Sequence, residues 1–143
     1  MAATPLRRTP DPVRDPLVEV RRALLRLHKA LIDAERAHYE ARNGPLTNAQ
    51  LLGALLEDPG FQWLRPYSQL IAAMDEAIFS REPIPPGDAR MLVHRAHALL
   101  VDAPDEGERR LEAATGRDPG ARLAHAELTR RVAAALVAYG AAD

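Results

Sequence analysis

The chain has 143 residues, of which 47% are hydrophobic and 4% aromatic, and its 19 basic and 20 acidic residues leave a formal net charge of −1. This length fits one domain with a single core. The balanced charge predicts no binding to nucleic acid or anionic membranes. The lack of cysteine excludes disulfides, thiolate metal sites and cysteine nucleophiles. No apolar run approaches the roughly 20 residues that span a bilayer, and residues 1–15 lack the apolar stretch of a secretory signal, so we expect a soluble, cytoplasmic protein.

The composition predicts an all-α fold. Alanine, leucine, arginine and glutamate, which all favour helices, dominate the chain, whereas β-branched residues are few. No segment alternates apolar and polar residues for long enough to indicate a strand. We expect residues 15–143 to form a single bundle of four principal helices and two short ones. Residues 1–14, with three prolines and no apolar periodicity, are expected to be a flexible N-terminal arm.

The first predicted helix is the centre of this bundle. It should begin near Asp15 as N-cap, with Pro16 at the first helical position, and end near Arg42, before Asn43-Gly44-Pro45. Its main apolar seam contains Leu17, Val20, Leu24, Leu27, Leu31, Ala34 and His38. A second seam beside it contains Leu25, His28, Ile32, Glu35 and Tyr39. Two adjacent seams make a stripe that is wide enough to contact several helices.

The next two helices are predicted from a capping motif and from an apolar seam. Thr47 and Gln50 have capping-box spacing, which predicts a short helix over 48–57. The following helix should start within residues 61–65, continue past Pro66 and end near Phe79. Its predicted buried face contains Leu64, Tyr67, Ser68, Ile71, Met74, Asp75 and Ile78.

The C-terminal part of the chain predicts three more helices. Residues 88–102 are apolar nearly all round, which predicts burial on most sides. A short helix should cover about 106–115, and the last should run from about 119 to 139. The inward seam of that last helix contains His125, Leu128, Val132, Ala135 and Tyr139.

Polar residues on the apolar seams suggest a metal site. Glu35 and His38 have the Glu-x-x-His spacing of carboxylate-bridged di-iron bundles. His94 and His97 form a second i,i+3 pair on the fourth predicted helix, and Asp75 and His125 lie on the inward faces of the two remaining long helices. Converging at one level, the six would suit iron, manganese or zinc. However, the ferritin-like pattern needs two Glu-x-x-His motifs, and a structural polar network satisfied by arginine or backbone partners is the alternative.

No catalytic template is present in the sequence. The glycine-rich phosphate loops, the Gly-x-Ser-x-Gly elbow and the His-Glu-x-x-His motif are absent. Arg22 precedes His28 by six residues and Arg90 precedes His97 by seven, as in some small helical ribonucleases, but chance gives about as many matches. We therefore expect a protein that is not an enzyme.

Residues 17–80 carry a family resemblance. Leu27 to Arg36 have the sequence Leu-His-Lys-Ala-Leu-Ile-Asp-Ala-Glu-Arg. The pattern continues with Tyr39-Glu40, Asp58-Pro59, Trp63-Leu64-Arg65-Pro66, Ser68, Leu70-Ile71 and Asp75-Glu76. It resembles a family of small, uncharacterised helical proteins of bacteria, although Tyr67 stands where the family pattern has a smaller aliphatic residue. The resemblance implies a bacterial, cytosolic protein and brings no activity, cofactor or site residue with it.

These observations lead to one expected function and two alternatives. We expect a helical bundle that acts through protein contacts, as a homodimer. Its interface is predicted on the alanine-rich last helix, at Ala133, Ala134, Ala135 and Ala138. One alternative is a metal-binding bundle that uses the six residues above. The other is a bundle that binds a small apolar ligand between its helices. No cofactor is expected apart from that transition metal.

Overall fold

The computed structural model describes residues 9–101 and 105–141, and these residues form an all-α bundle, as the composition predicts. The helices are α1 (Arg14–Asn43), α2 (Asn48–Glu57), α3 (Arg65–Ile78), α4 (Pro86–Val101), α5 (Asp105–Arg117) and α6 (Pro119–Ala141). A 3₁₀ helix, Pro59–Leu64, joins α2 to α3. Among the described helices, none is both long and apolar enough to cross a membrane.

Helix α1 is the central helix, because it contacts α3, α4, α5 and α6 along its 30 residues. The main predicted seam is confirmed from Leu17 to Ala34, where its residues are at most 5% exposed, whereas His38 is only half-buried. The second seam is different. Of its five residues only Glu35 is buried, and Leu25 is 42% exposed. One side of the central helix is therefore left partly uncovered.

Helix α1 begins earlier than its sequence suggests. The side chain of Asp11, rather than that of Asp15, caps this end: its Oδ1 atom accepts hydrogen bonds from the backbone N–H groups of Val13 and Arg14, at 3.0 and 2.9 Å. The carboxylate of Asp15 in turn accepts a hydrogen bond of 3.1 Å from the backbone N–H of Asp11. Residues 1–8 of the predicted arm lie outside the described residues.

Helix α2 has the predicted bounds and the predicted cap. Thr47 Oγ1 accepts the backbone N–H of Gln50 at 3.1 Å, and the Gln50 side chain accepts the backbone N–H of Thr47 at 2.9 Å. This reciprocal pair satisfies two N–H groups that the first turn leaves free. The helix contains no buried residue, and its neighbours are the 3₁₀ helix and the edge of the core.

Helix α3 follows the 3₁₀ helix directly, with Pro66 in its first turn, where no hydrogen bond is lost. Its buried residues are those predicted, except that Leu70 is buried and that Ser68 and Asp75 are not. Leu70 is 1% exposed and belongs to the core, whereas Ser68 is exposed and donates a hydrogen bond to the carbonyl of Arg65. Asp75, at the edge of this face, is half-buried.

Helix α4 is buried on one side only, so the prediction of burial on most sides is wrong. Ala89, Leu92, Val93 and Ala96 are in the core. Met91 and Val101 are 54% and 61% exposed. Residue 102, at the predicted end of this helix, lies outside the described residues.

Helix α6 packs along α1 and completes the core. Its predicted seam is confirmed for Leu128, Val132, Ala135 and Tyr139, while His125 is half-buried. The hydroxyl of Tyr139 donates a hydrogen bond of 2.8 Å to the carbonyl of Val13. This contact fastens the C-terminal end of α6 to the start of α1.

Candidate functional site

The buried glutamate of α1 is the most unusual side chain in the structure. Glu35 is 4% exposed, and it is the only buried charged residue in the described parts of the chain. It lines a polar pocket of about 460 Å³ together with His38, Tyr39, Asp58 and Arg110. The pocket lies where the second half of α1 meets the 3₁₀ helix and α5.

Two arginines of α5 neutralise Glu35. Arg117 Nη2 is 3.5 Å from Glu35 Oε1, and Arg110 Nη1 is 3.9 Å from Glu35 Oε2. Both separations exceed the roughly 2.7–2.9 Å of a charge-assisted hydrogen bond. Arg110 is also engaged elsewhere, since its Nε donates to Glu106 at 2.9 Å. The carboxylate is therefore paired electrostatically and faces a cavity that has room for another polar group.

The structure brings together only two of the six predicted metal ligands. Glu35 and His38 line the same pocket. Asp75 forms an ion pair with Arg21, with 2.5 Å between Oδ1 and Nε. The three remaining candidates lie on other helices: His94 and His97 are exposed on α4, and His125 is half-buried on α6.

No metal-ligand cluster is found in residues 9–101 and 105–141. Within these ranges, no three or more His, Asp and Glu side chains are grouped so that they could hold a metal ion. The metal site therefore stays a prediction, supported by Glu35 and His38 sharing one pocket. The arginine partners of Glu35 correspond to the structural network that the sequence left as the alternative.

A second feature lies nearer the middle of α1, where His28 and Ile32 share a cleft with residues of α2. We define the leucine face as Leu52, Leu55 and Leu56 of α2 with His28 and Ile32 of α1. Leu52 and Leu56 are 60% and 63% exposed. A cleft of about 170 Å³ runs beneath this face, and its lining includes His28, Ile32, Leu55 and Leu56. Exposed leucines that are grouped on one helix beside a cleft mark an interaction site more often than isolated exposed leucines do.

The sequence of α2 contains a signal for the leucine face that the helical seams do not reveal. Helix α2 carries two leucine pairs one turn apart, at 51–52 and 55–56. Adjacent residues on a helix point about 100° apart. A short helix that packs on the core with one side can therefore cover only part of each pair, and the rest remains at the surface.

His28 connects the leucine face with the core. Its ring stacks on Tyr67 of α3, with 6.4 Å between the centroids and 9° between the planes. Burial lowers the pKa of His28 below its ordinary value and raises the pKa of Tyr67. Burial likewise lowers the pKa of His125 on α6. Both histidines are therefore neutral in the folded protein at neutral pH.

These lowered pKa values predict an acid-sensitive stability. In the unfolded chain each histidine binds a proton near pH 6.5, whereas in the folded chain its pKa is lower. The unfolded state therefore binds more protons, and a decrease in pH favours unfolding. We expect the urea midpoint to fall as the pH decreases from about 7 toward the lowered pKa values. The His28→Gln variant should show a shallower fall, measured by circular dichroism. His94→Gln is the matched control, since His94 is exposed; equal slopes for native and His28→Gln protein would contradict this role.

The interface predicted on α6 is partly in the core. Ala135 is 2% exposed, whereas Ala133, Ala134 and Ala138 are exposed beside Val137, which is 72% exposed. Further along the same side of the helix, Glu127 forms ion pairs with Arg130 and Arg131. These charges limit the apolar stretch to the last turns of α6.

Comparison with known proteins gives no match, whether with family models, with curated proteins or with solved structures. The resemblance of residues 17–80 to helical proteins of bacteria therefore stays a prediction. Function has to be inferred from the surfaces and pockets of the chain itself.

Proposed function

We propose that this protein is a non-enzymatic helical bundle that acts through protein contacts, and that two copies pair through the leucine face. The observation that carries the proposal is the state of α2. Four of its ten residues are leucines, yet none of its residues is buried. A leucine that moves from water into a packed interface contributes about 1.5–3 kcal/mol. Leu52 and Leu56, which are exposed, therefore become buried only when another surface covers them.

Charge favours a second copy as the occupant. Glu57, at the last position, is the only charged residue of α2. Two such helices can therefore approach each other about a two-fold axis without like charges meeting along their length. A two-fold contact uses the same patch twice, so one apolar helix per chain is sufficient for a closed dimer. The exposed side of α6 suits this contact less well, because Glu127, Arg130 and Arg131 interrupt it.

The proposal predicts a dimer that depends on two exposed leucines. At tens of micromolar, light scattering coupled to size exclusion should give twice the 15.7 kDa of one chain. The Leu52→Glu, Leu56→Glu double variant should give the monomer mass, because four buried carboxylates would face each other across the axis. Its melting temperature at low concentration should stay close to that of the native monomer, since both residues are exposed.

Leu123→Glu and Val137→Glu are the matched controls. Both residues lie on α6 and are more than 70% exposed, at 73% and 72%. Leu123→Glu should leave the dimer intact. If Val137→Glu abolished the dimer and the α2 variant did not, the interface would be the alanine-rich side of α6. A monomer at every concentration tested would refute self-association altogether.

A small apolar ligand is the weaker explanation of the same face. The cleft beneath it has a volume of about 170 Å³, whereas typical ligand pockets enclose about 300–1,000 Å³. A packed helix of a second copy needs only a surface, and the leucine face provides one.

A further inference from the structure

A second surface, formed by α3, α4 and their connector, has a different chemistry. A groove of about 440 Å³ lies between the end of α3, the start of α4 and the proline-rich connector between them. Its lining is mainly apolar: Ile84 and Leu92 are buried at 8% and 5% exposure, Ala73 and Ala77 are half-buried, and Met91 is 54% exposed. We call it the α3–α4 groove.

The polar lining of the groove is acidic. Glu76, Glu82 and Asp88 line it and are exposed, one from α3, one from the connector and one from α4. No lysine, arginine or histidine of the described residues lines the groove. By contrast, the acidic side chains of Asp75 and Glu127 are each neutralised by arginine. The three groove carboxylates form no ion pair within the described ranges, so their charge is left for a partner.

We propose that the α3–α4 groove binds a segment of a partner protein in which an apolar side chain is flanked by arginine or lysine. The apolar side chain would lie on Ile84 and Leu92, and the cations would meet the three carboxylates that line the groove. Met91 suits such a contact, because the unbranched thioether adapts to side chains of different shape. The groove and the leucine face lie on different helices, so this binding is independent of the proposed dimer.

The choice of a cationic partner rests on complementary charge. An apolar groove with neutral walls would accept any hydrophobic segment. Three uncompensated carboxylates discriminate against acidic segments through repulsion and favour basic ones through attraction. The attraction acts over about a Debye length, so it should weaken as salt is added.

The test uses a short, blocked, fluorescein-labelled peptide of alternating leucine and arginine, with a leucine–glutamate peptide of the same length as its counterpart. Fluorescence anisotropy with the full chain should show saturable binding of the basic peptide only. The Glu76→Gln, Glu82→Gln double variant should raise its Kd about fivefold, as expected for two exposed ion pairs. Glu108→Gln with Glu112→Gln on α5 changes the net charge equally and should leave the Kd unchanged, since both residues lie outside the groove.

The Met91→Glu variant distinguishes binding of the peptide in the apolar groove from non-specific electrostatic attraction. The substitution adds a fourth carboxylate to the groove and removes apolar surface. Docking predicts weaker binding of the basic peptide, whereas attraction by charge alone predicts tighter binding. Either tighter binding to Met91→Glu, an equal effect of the α5 control pair or absence of saturable binding would overturn the proposal.

The chain itself contains a segment of the required composition, Pro-Leu-Arg-Arg at residues 5–8. The peptide is therefore also titrated against the Arg7→Ala, Arg8→Ala variant. An unchanged Kd supports a partner protein as the occupant. A tighter Kd would show that the N-terminal segment competes for the groove, and it would overturn the proposal of a partner in favour of self-binding.

Discussion

We expect the Leu27→Ala substitution to lower the free energy of unfolding by about 3 kcal/mol and the melting temperature by about 10 °C. Leu27 is fully buried at 0% exposure, in the middle of α1. Because α1 contacts four other α-helices, a cavity at this point cannot be closed by a shift of one neighbour. The cost therefore includes the lost transfer free energy of the side chain and the persistent cavity.

Urea unfolding, followed by circular dichroism, measures the effect. The matched control is Leu123→Ala, the same substitution on α6 at a residue that is 73% exposed, which should change the free energy of unfolding by less than about 0.5 kcal/mol. Equal effects of the two substitutions would show that α1 is not the centre of the core. A changed dependence of the free energy on urea would show that the variant unfolds from a less compact state.

The sequence predicted the elements of the fold well, because short-range rules control them. The seam from Leu17 to Ala34 requires only helical periodicity, and the structure buries it as predicted. The Thr47–Gln50 capping box involves one turn of chain and forms as predicted. In both cases the residues that decide the structure lie within a few positions of each other.

The sequence predicted less well which faces are covered. An apolar stripe gives the width of the surface that prefers burial, but the number of helices that cover it depends on their packing. Thus the second seam of α1 stays partly open at Leu25. Met91 and Val101 are apolar yet exposed on α4, since no helix of residues 9–101 and 105–141 covers them.

Local sequence patterns did not predict which residues form ion pairs with the carboxylates of Glu35 and Asp75. Glu35 and Arg110 are separated by 75 positions, and the sequence offers an arginine on almost every helix. Only the packing of α5 against α1 selects Arg110 and Arg117 as the partners. Asp75 is likewise neutralised by Arg21 of α1, a contact between residues 54 positions apart. Such pairs give no signal in a single sequence beyond the residue types themselves.

Removal of both arginines around Glu35 should have the second large effect. We expect the Arg110→Ala, Arg117→Ala double variant to lose about 3 kcal/mol of stability, because the buried carboxylate would be left without a counter-charge. In contrast, Glu35→Leu should be neutral or stabilising, since it removes the buried charge. The two arginines, whose side chains are 34% and 38% exposed, can then turn toward water.

The coupling between these substitutions is the decisive measurement. In the Glu35→Leu background, the loss of Arg110 and Arg117 should cost little, so the double-mutant cycle should give a coupling energy of about 2–3 kcal/mol. The Arg130→Ala, Arg131→Ala control removes the exposed partners of Glu127 and should cost less than about 1 kcal/mol. Additive losses would mean that the arginines stabilise α5 through contacts other than the one with Glu35.

The same variants separate a structural network from a metal site at Glu35 and His38. A network predicts that native protein, purified without chelator, has the same melting temperature with and without EDTA, because no ligand is removed from the folded state. It also predicts that His38→Ala leaves the arginine coupling unchanged. Near-stoichiometric iron, manganese or zinc that disappears in both Glu35→Leu and His38→Ala would contradict the network, because residues that only balance the charge of a carboxylate retain no metal.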